Sequence, residues 1–153
     1  MNRVLEEYAA RGVFRGFSAG PERGGKATFR MVWHHDRPFE LIFDPDAKTL
    51  VFPALLPAIP RDSAMYRELK LFLKARHSEK LPPHRRINPA RARLRCTNQR
   101  GAVSVGITVL DQDFDHATRK LIHIVHEIFL VFLAEGPYYE YMVEHLGLDP
   151  DRY

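Results

Sequence analysis

The sequence holds a single cysteine, Cys96. An intramolecular disulfide is therefore impossible, and a cysteine-rich zinc site is excluded. A reducing compartment suits such a chain. There is no G-x-x-x-x-G-K-[ST] phosphate loop, and "SAGPERGGK" (18–26) does not follow a strand as a phosphate loop requires. Long apolar runs are also missing. The longest, residues 121–134, is interrupted by His123, His126 and Glu127 and is too short to span a bilayer, so no membrane insertion is expected. The first residues, "MNRVLEEYAARGVF", lack the apolar centre of a signal peptide, and a cytoplasmic protein is expected.

Acid is scarce in one place. Between Lys74 and Arg100 nine Lys/Arg face one acid, Glu79, while the other residues carry 14 bases and 18 acids. The chain thus reads as a mildly acidic body bearing one basic segment, and such a segment suits nucleic acid, an acidic protein or an anionic surface. What remains is ordinary for a globular protein. Apolar residues are 45% and charged residues 27% of 153 residues, which fits one domain over 1–153 with a real core.

Periodicity orders the elements. Val4, Leu5, Tyr8 and Ala9 recur at helical spacing over 2–11, and Gly12 is placed to stop that helix. Residues 18–26 read as a loop. Then "ATFRMVW" (27–33), "FELIF" (39–43) and "TLVFP" (49–53) alternate as a three-strand meander, joined by "HHDRP" and "DPDAK" turns. Asp62 or Ser63 can cap a helix over 64–77. Residues 91–97 and 102–110 alternate again around an "NQRG" hairpin turn. A long helix follows, capped by Asp113 or Asp115, running over 115–134 and ended by Gly136-Pro137. A short last helix stops at Gly147. The expected class is α+β: a five-stranded antiparallel sheet, meander plus hairpin, packed against helices in the order α-βββ-α-ββ-α with a short C-terminal helix. The expected core includes Phe29, Trp33, Leu41, Leu94, Val105, Ile107, Val125 and Phe129.

That order of helix, three-strand meander, helix, hairpin and helix, over residues 2–134, resembles the type III secretion chaperone fold and the related bacterial YbjN-like family. The resemblance lies in order and lengths and carries no sequence motif, so it transfers no residues. It implies a sheet backed by helices, often dimeric, without a catalytic site. Those secretion chaperones tend to be acidic, whereas this chain has a formal charge of +4.

Candidate sites are few. In "HIVHE", His116, Lys120, His123 and Glu127 form one polar edge of the long helix, with His126 off it. The spacing is not that of H-E-x-x-H or H-x-x-E-H, where two histidines four apart share one zinc. A metal reading would pair His123 and Glu127 with His34, His35 or Asp36 of the first turn. The plainer reading is a structural edge and a locally bonded turn. Asp44 and Asp46 read as a turn rather than a calcium loop, and Cys96, on the apolar side of its strand, as an inert thiol. Arg91, Arg93 and Arg95 alternate on one strand and share a face. With Arg85 and Arg86 they are the candidates for partner or anion binding. The matching face of the next strand offers Ala102, Ser104, Gly106 and Thr108, small residues that leave room for arginine stems. No aromatic accompanies them to stack bases.

The functional expectation is a non-catalytic protein-binding or chaperone-like module without a cofactor. Its alternative is an anion- or nucleic-acid-binding protein using the arginine strip, and a metal-dependent enzyme comes third. A homodimer is expected as well. The 121–133 run is apolar on more sides than one sheet can cover, and Tyr138, Tyr139, Tyr141, Met142 and Leu146 follow it directly.

Overall fold

The computed structural model describes residues 1–148. Its turns explain its strands. Arg100 and Gly101 take φ of 53° and 90°, the paired left-handed geometry of a two-residue hairpin, and so join β5 (Ala92–Gln99) to β6 (Ala102–Val109). The Asp44 carboxylate accepts the Asp46 and Ala47 amides, both at 3.1 Å, and turns β3 (Arg37–Asp44) into β4 (Thr49–Leu56). A single 3-10 turn, His34–Asp36, joins β2 (Ala27–Trp33) to β3.

The sheet has six antiparallel strands in the order β1-β2-β3-β4-β6-β5. This corrects the expected five-stranded sheet and its element order. The additional strand is β1, Arg15–Ala19, which begins before the expected loop and overlaps its first two residues. It escapes periodicity because "RGFSA" has one large apolar residue. Gly16, at φ 61°, lies in a bulge between Arg15 and Ser18, so the alternation is broken. Backbone pairing to β2 and the stack of Phe17 on Phe29, 6.0 Å between ring centres, hold the strand instead.

Four helices accompany the sheet: α1 (Asn2–Ala10), α2 (Ala64–Ala75), α3 (Phe114–Glu127) and α4 (Tyr139–His145). Ser63 caps α2, its Oγ accepting the Tyr66 amide, and Asp113 caps α3 by accepting the His116 amide. After Glu127 the long apolar run continues as a π-helical stretch, Ile128–Leu133. The wider turn redistributes its side chains. Ile128, Phe129 and Leu133 stay buried, whereas Leu130 is exposed.

One sheet face carries Phe29, Met31, Trp33, Leu41, Leu50, Phe52, Val105 and Ile107, all buried with Leu121, Val125 and Phe129 of α3 and its extension. Leu94, expected in this core, is only half-buried, because β5 is an edge strand. The two edges differ. Along β5 the Leu94 amide donates to His77 Nε2 at 3.0 Å, so the segment after α2 closes that edge. Among the described residues no backbone bond of β1 leads to any element but β2. Helix α4 folds back on the core and buries Met142 and Leu146. Much of the apolar surplus seen in the sequence is thereby covered within the chain, leaving Leu71, Leu110, Leu130 and Tyr139 exposed. No helix of the described residues is long and apolar enough to cross a membrane.

Candidate functional site

The free edge of β1 lies beside a large recess. Between the end of α1, β1, the His34–Asp36 turn and the extension of α3 there is an open groove of about 830 Å³. Its apolar walls are Phe14, Phe17, Trp33 and Leu130, and its polar ones include Arg15, His34, Asp36 and His126. Aromatic packing builds it. Phe14 meets Trp33 edge to face at 5.7 Å, and Trp33 lies 4.7 Å from the His34 ring. His34 stacks flat on Phe129 at 4.4 Å, and the His126 ring centre is 5.2 Å away. Arg15 Nη2 donates to Asp36 Oδ1 at 3.1 Å and ties β1 to the turn across the groove. The turn itself is strained. His35 and Asp36 both have left-handed backbones, with φ of 58° and 54°, which non-glycine residues seldom adopt.

The histidines of the groove are held neutral. Burial, then the neighbouring His126 and His35, push His34 down to about 3. Its Nε2 is buried and has no hydrogen-bond partner among the described residues. Burial also lowers His35 and His126. A neutral imidazole between a phenyl ring and an indole is a flat, weakly polar surface. It suits an apolar or aromatic side chain better than an anion.

The helix edge read from "HIVHE" exists but does another job. Glu127 is buried; its Oε2 accepts Arg76 Nη1 at 2.8 Å, and its Oε1 accepts His123 Nε2 at 2.8 Å and Arg85 Nε at 3.4 Å. Burial alone would raise its pKa; the Arg76 bond and the charges around it outweigh that and hold it below the usual carboxylate value. Lys120, one turn back from His123 and nearly two from Glu127, donates to the carbonyls of Pro83 and His84. The edge thus anchors the basic loop between α2 and β5. His123 and Glu127 meet each other, while His34 and His35 belong to the groove, so the fold does not unite the four residues of the metal reading. Among the described residues no three His, Cys, Asp or Glu side chains form a metal-sized cluster.

The five candidate arginines separate. Arg85 is bound to Glu127, and Arg86 donates to the carbonyls of Glu79 and Leu81. Arg91 is paired with Asp111 at 2.5 Å and Asp113 at 3.1 Å. Arg93 donates only to the Pro89 carbonyl, and Arg95 is exposed on the outer sheet face. Cys96 is half-buried, its Sγ 3.9 Å from the Tyr66 hydroxyl; burial raises its pKa, against the trend of a reactive thiolate. The groove was not foreseen from the sequence. Its one legible hint was Trp33-His34-His35, aromatic and histidine side by side at a strand end. Comparison with protein-family models, with curated proteins and with solved structures finds no match.

Proposed function

We propose that this protein is a non-catalytic protein-binding module, chaperone-like in taking up an extended segment of a partner chain. The observation that carries this reading is a coincidence of two features. The uncapped edge of β1 runs along a groove walled by Phe14, Phe17, Trp33, His34 and Leu130. An added strand would gain main-chain hydrogen bonds from β1, and an apolar or aromatic side chain of that strand would fill the groove. The neutral histidines favour such an anchor over a carboxylate. Among the described residues that line the groove there is no serine, threonine or cysteine to serve as a nucleophile, which supports binding rather than turnover.

Trp33 is the only tryptophan in the chain and reports on the groove directly. Random extended peptides displayed on phage should yield binders sharing an aromatic or aliphatic anchor, and these should change Trp33 emission. Selected binders that leave Trp33 emission untouched would contradict the site. The homodimer belongs to this proposal on a narrowed footing, since α4 covers much of the surplus and Leu71, Leu130 and Tyr139 remain exposed. Light scattering that returns a 17.8 kDa particle at micromolar protein would remove it. A cytoplasmic setting is likewise part of the proposal and is consistent with the lone, unpaired cysteine.

A further inference from the structure

We infer that the outer face of β5 and β6 is a second docking surface, which takes an acidic, extended segment of a partner protein with a small side chain seated over Gly106. The surface starts from a notch. Ile42, Val51, Gly106 and Arg95 form one cross-strand row on the face without helices. A Cβ on Gly106 would lie 2.7 Å from the Leu50 carbonyl oxygen and 2.8 Å from Val51 Cγ2, so only glycine fits. Beside it lies a recess of about 220 Å³ lined by Thr49, Val51, Arg95, Thr97 and Ser104.

The charge around the notch has no counterpart within the described residues. Several other arginines of the sheet and its margins meet carboxylates, namely Arg15 with Asp36, Arg30 with Glu40, and Arg91 with Asp111 and Asp113, although Arg37 of β3 has a buried Nη1 without a partner. Arg93 and Arg95 meet no carboxylate; a backbone carbonyl is the only acceptor of Arg93. In the row between Arg93 and Thr49, Thr108 Oγ1 is buried and lacks a hydrogen-bond partner. Beyond Arg93 a recess of about 430 Å³ adds Lys74 to the same basic margin.

This arrangement suits carboxylates on a strand. Arg93 and Arg95 are two residues apart, so their stems stand roughly 7 Å apart on one face. Alternate side chains of an extended segment have that same spacing. Two carboxylates at alternate positions of one face would reach the two guanidinium groups, and a small residue at the next alternate position of that same face would lie over the recess. The rows Ile42, Val51, Gly106, Arg95 and Asp44, Thr49, Thr108, Arg93 hold no aromatic ring, and single-stranded nucleic acid binding relies on such rings. That favours protein over nucleic acid. The inference is independent of the groove, because the two surfaces share no residue.

The test uses the full chain and a fluorescent peptide of the repeat Glu-Ser-Glu-Ser-Ala-Ser, whose glutamates and alanine share one face when extended, with a single-stranded DNA of equal charge in parallel. The peptide should bind, and the double reversal Arg93→Glu with Arg95→Glu should weaken it at least tenfold. Thr97→Phe changes no charge but places a ring over the notch; it too should weaken the peptide about tenfold. Arg23→Glu in the β1–β2 loop, a charge change equal to that of Arg95→Glu alone, should leave binding within twofold, whereas Arg95→Glu alone should weaken it. Circular dichroism confirms that each variant is folded. Absence of peptide binding, equal loss with Arg23→Glu, a Thr97→Phe variant that binds like the parent, or tighter binding of the DNA would each overturn the inference.

Discussion

Replacing His34 by phenylalanine should make the protein more resistant to acid. The imidazole stacks on Phe129 at 4.4 Å, and its Nε2 is buried without a partner, so a proton placed there has nothing to receive it. The ordinary histidine value is 6.5, and the folded protein holds His34 down to about 3. The folded state therefore binds the proton less well than the unfolded chain. The stability tied to the neutral ring is complete above about pH 6.5 and drains away as the pH falls toward 3. At ~1.36 kcal/mol per pH unit the loss by about pH 4 has an upper bound of about 3.4 kcal/mol. His34 is half-buried, and solvent screening reduces that to about 2 kcal/mol. Phenylalanine keeps the stack and has nothing to protonate. Urea unfolding followed by circular dichroism at about pH 7 and about pH 4 should show the parent losing about 2 kcal/mol more than His34→Phe. His126 and His35 titrate in both proteins, so the difference reports His34 together with its repulsion by those two neighbours. Equal losses in the two proteins would refute the claim that His34 is buried and neutral.

Phe129→Ala removes the floor under His34 and a fully packed core ring, and it should cost ~3–5 kcal/mol by thermal or urea unfolding; a loss under about 1 kcal/mol would mean that the α3 extension does not pack on the sheet. Glu127→Gln leaves Arg76 buried beside an uncharged partner and should cost ~3 kcal/mol near neutral pH. In the parent, the part of this stability tied to the Glu127 charge is present above its ordinary value of 4.5 and fades as the pH falls through its lowered folded value; proteolysis of the loop around Pro82 and Pro83 should quicken in the variant, and unchanged cleavage would show that Glu127 does not anchor that loop. Gly106→Ala should destabilise by ~1–3 kcal/mol, because the new methyl group meets the Leu50 carbonyl; a neutral substitution would show that β4 and β6 can move apart there.

Much of the fold was legible where a period was strong. Phe29, Met31 and Trp33 alternate cleanly and are all buried, and Ser63 and Asp113 mark helix starts because their side chains bond the third amide beyond. β1 was not legible, since edge pairing through a bulge needs little side-chain pattern. The π-helical stretch was hidden for a related reason: an apolar run fits either turn width, and packing against His34 and Phe72 decides which residues face inward. The candidate site was partly legible. Alternation placed Arg93 and Arg95 on one face, and they share it. It did not show that Arg91 reaches aspartates of the next connection or that Arg85 reaches Glu127, both contacts being set by chain crossing rather than by local spacing. The groove joins segments more than 100 residues apart in the chain, Phe14 and His126 among them, and no local pattern predicts such a meeting.

The central claim is that β1 receives a partner strand beside the groove. Amide hydrogen exchange of Gly16 to Ala19, with and without a peptide selected for binding, tests it most directly. The account predicts that those of these amides that point away from β2 exchange quickly in the free protein and at least tenfold more slowly in the complex, with Trp33 emission shifting in step. A saturated complex in which the β1 amides exchange as fast as before would contradict it.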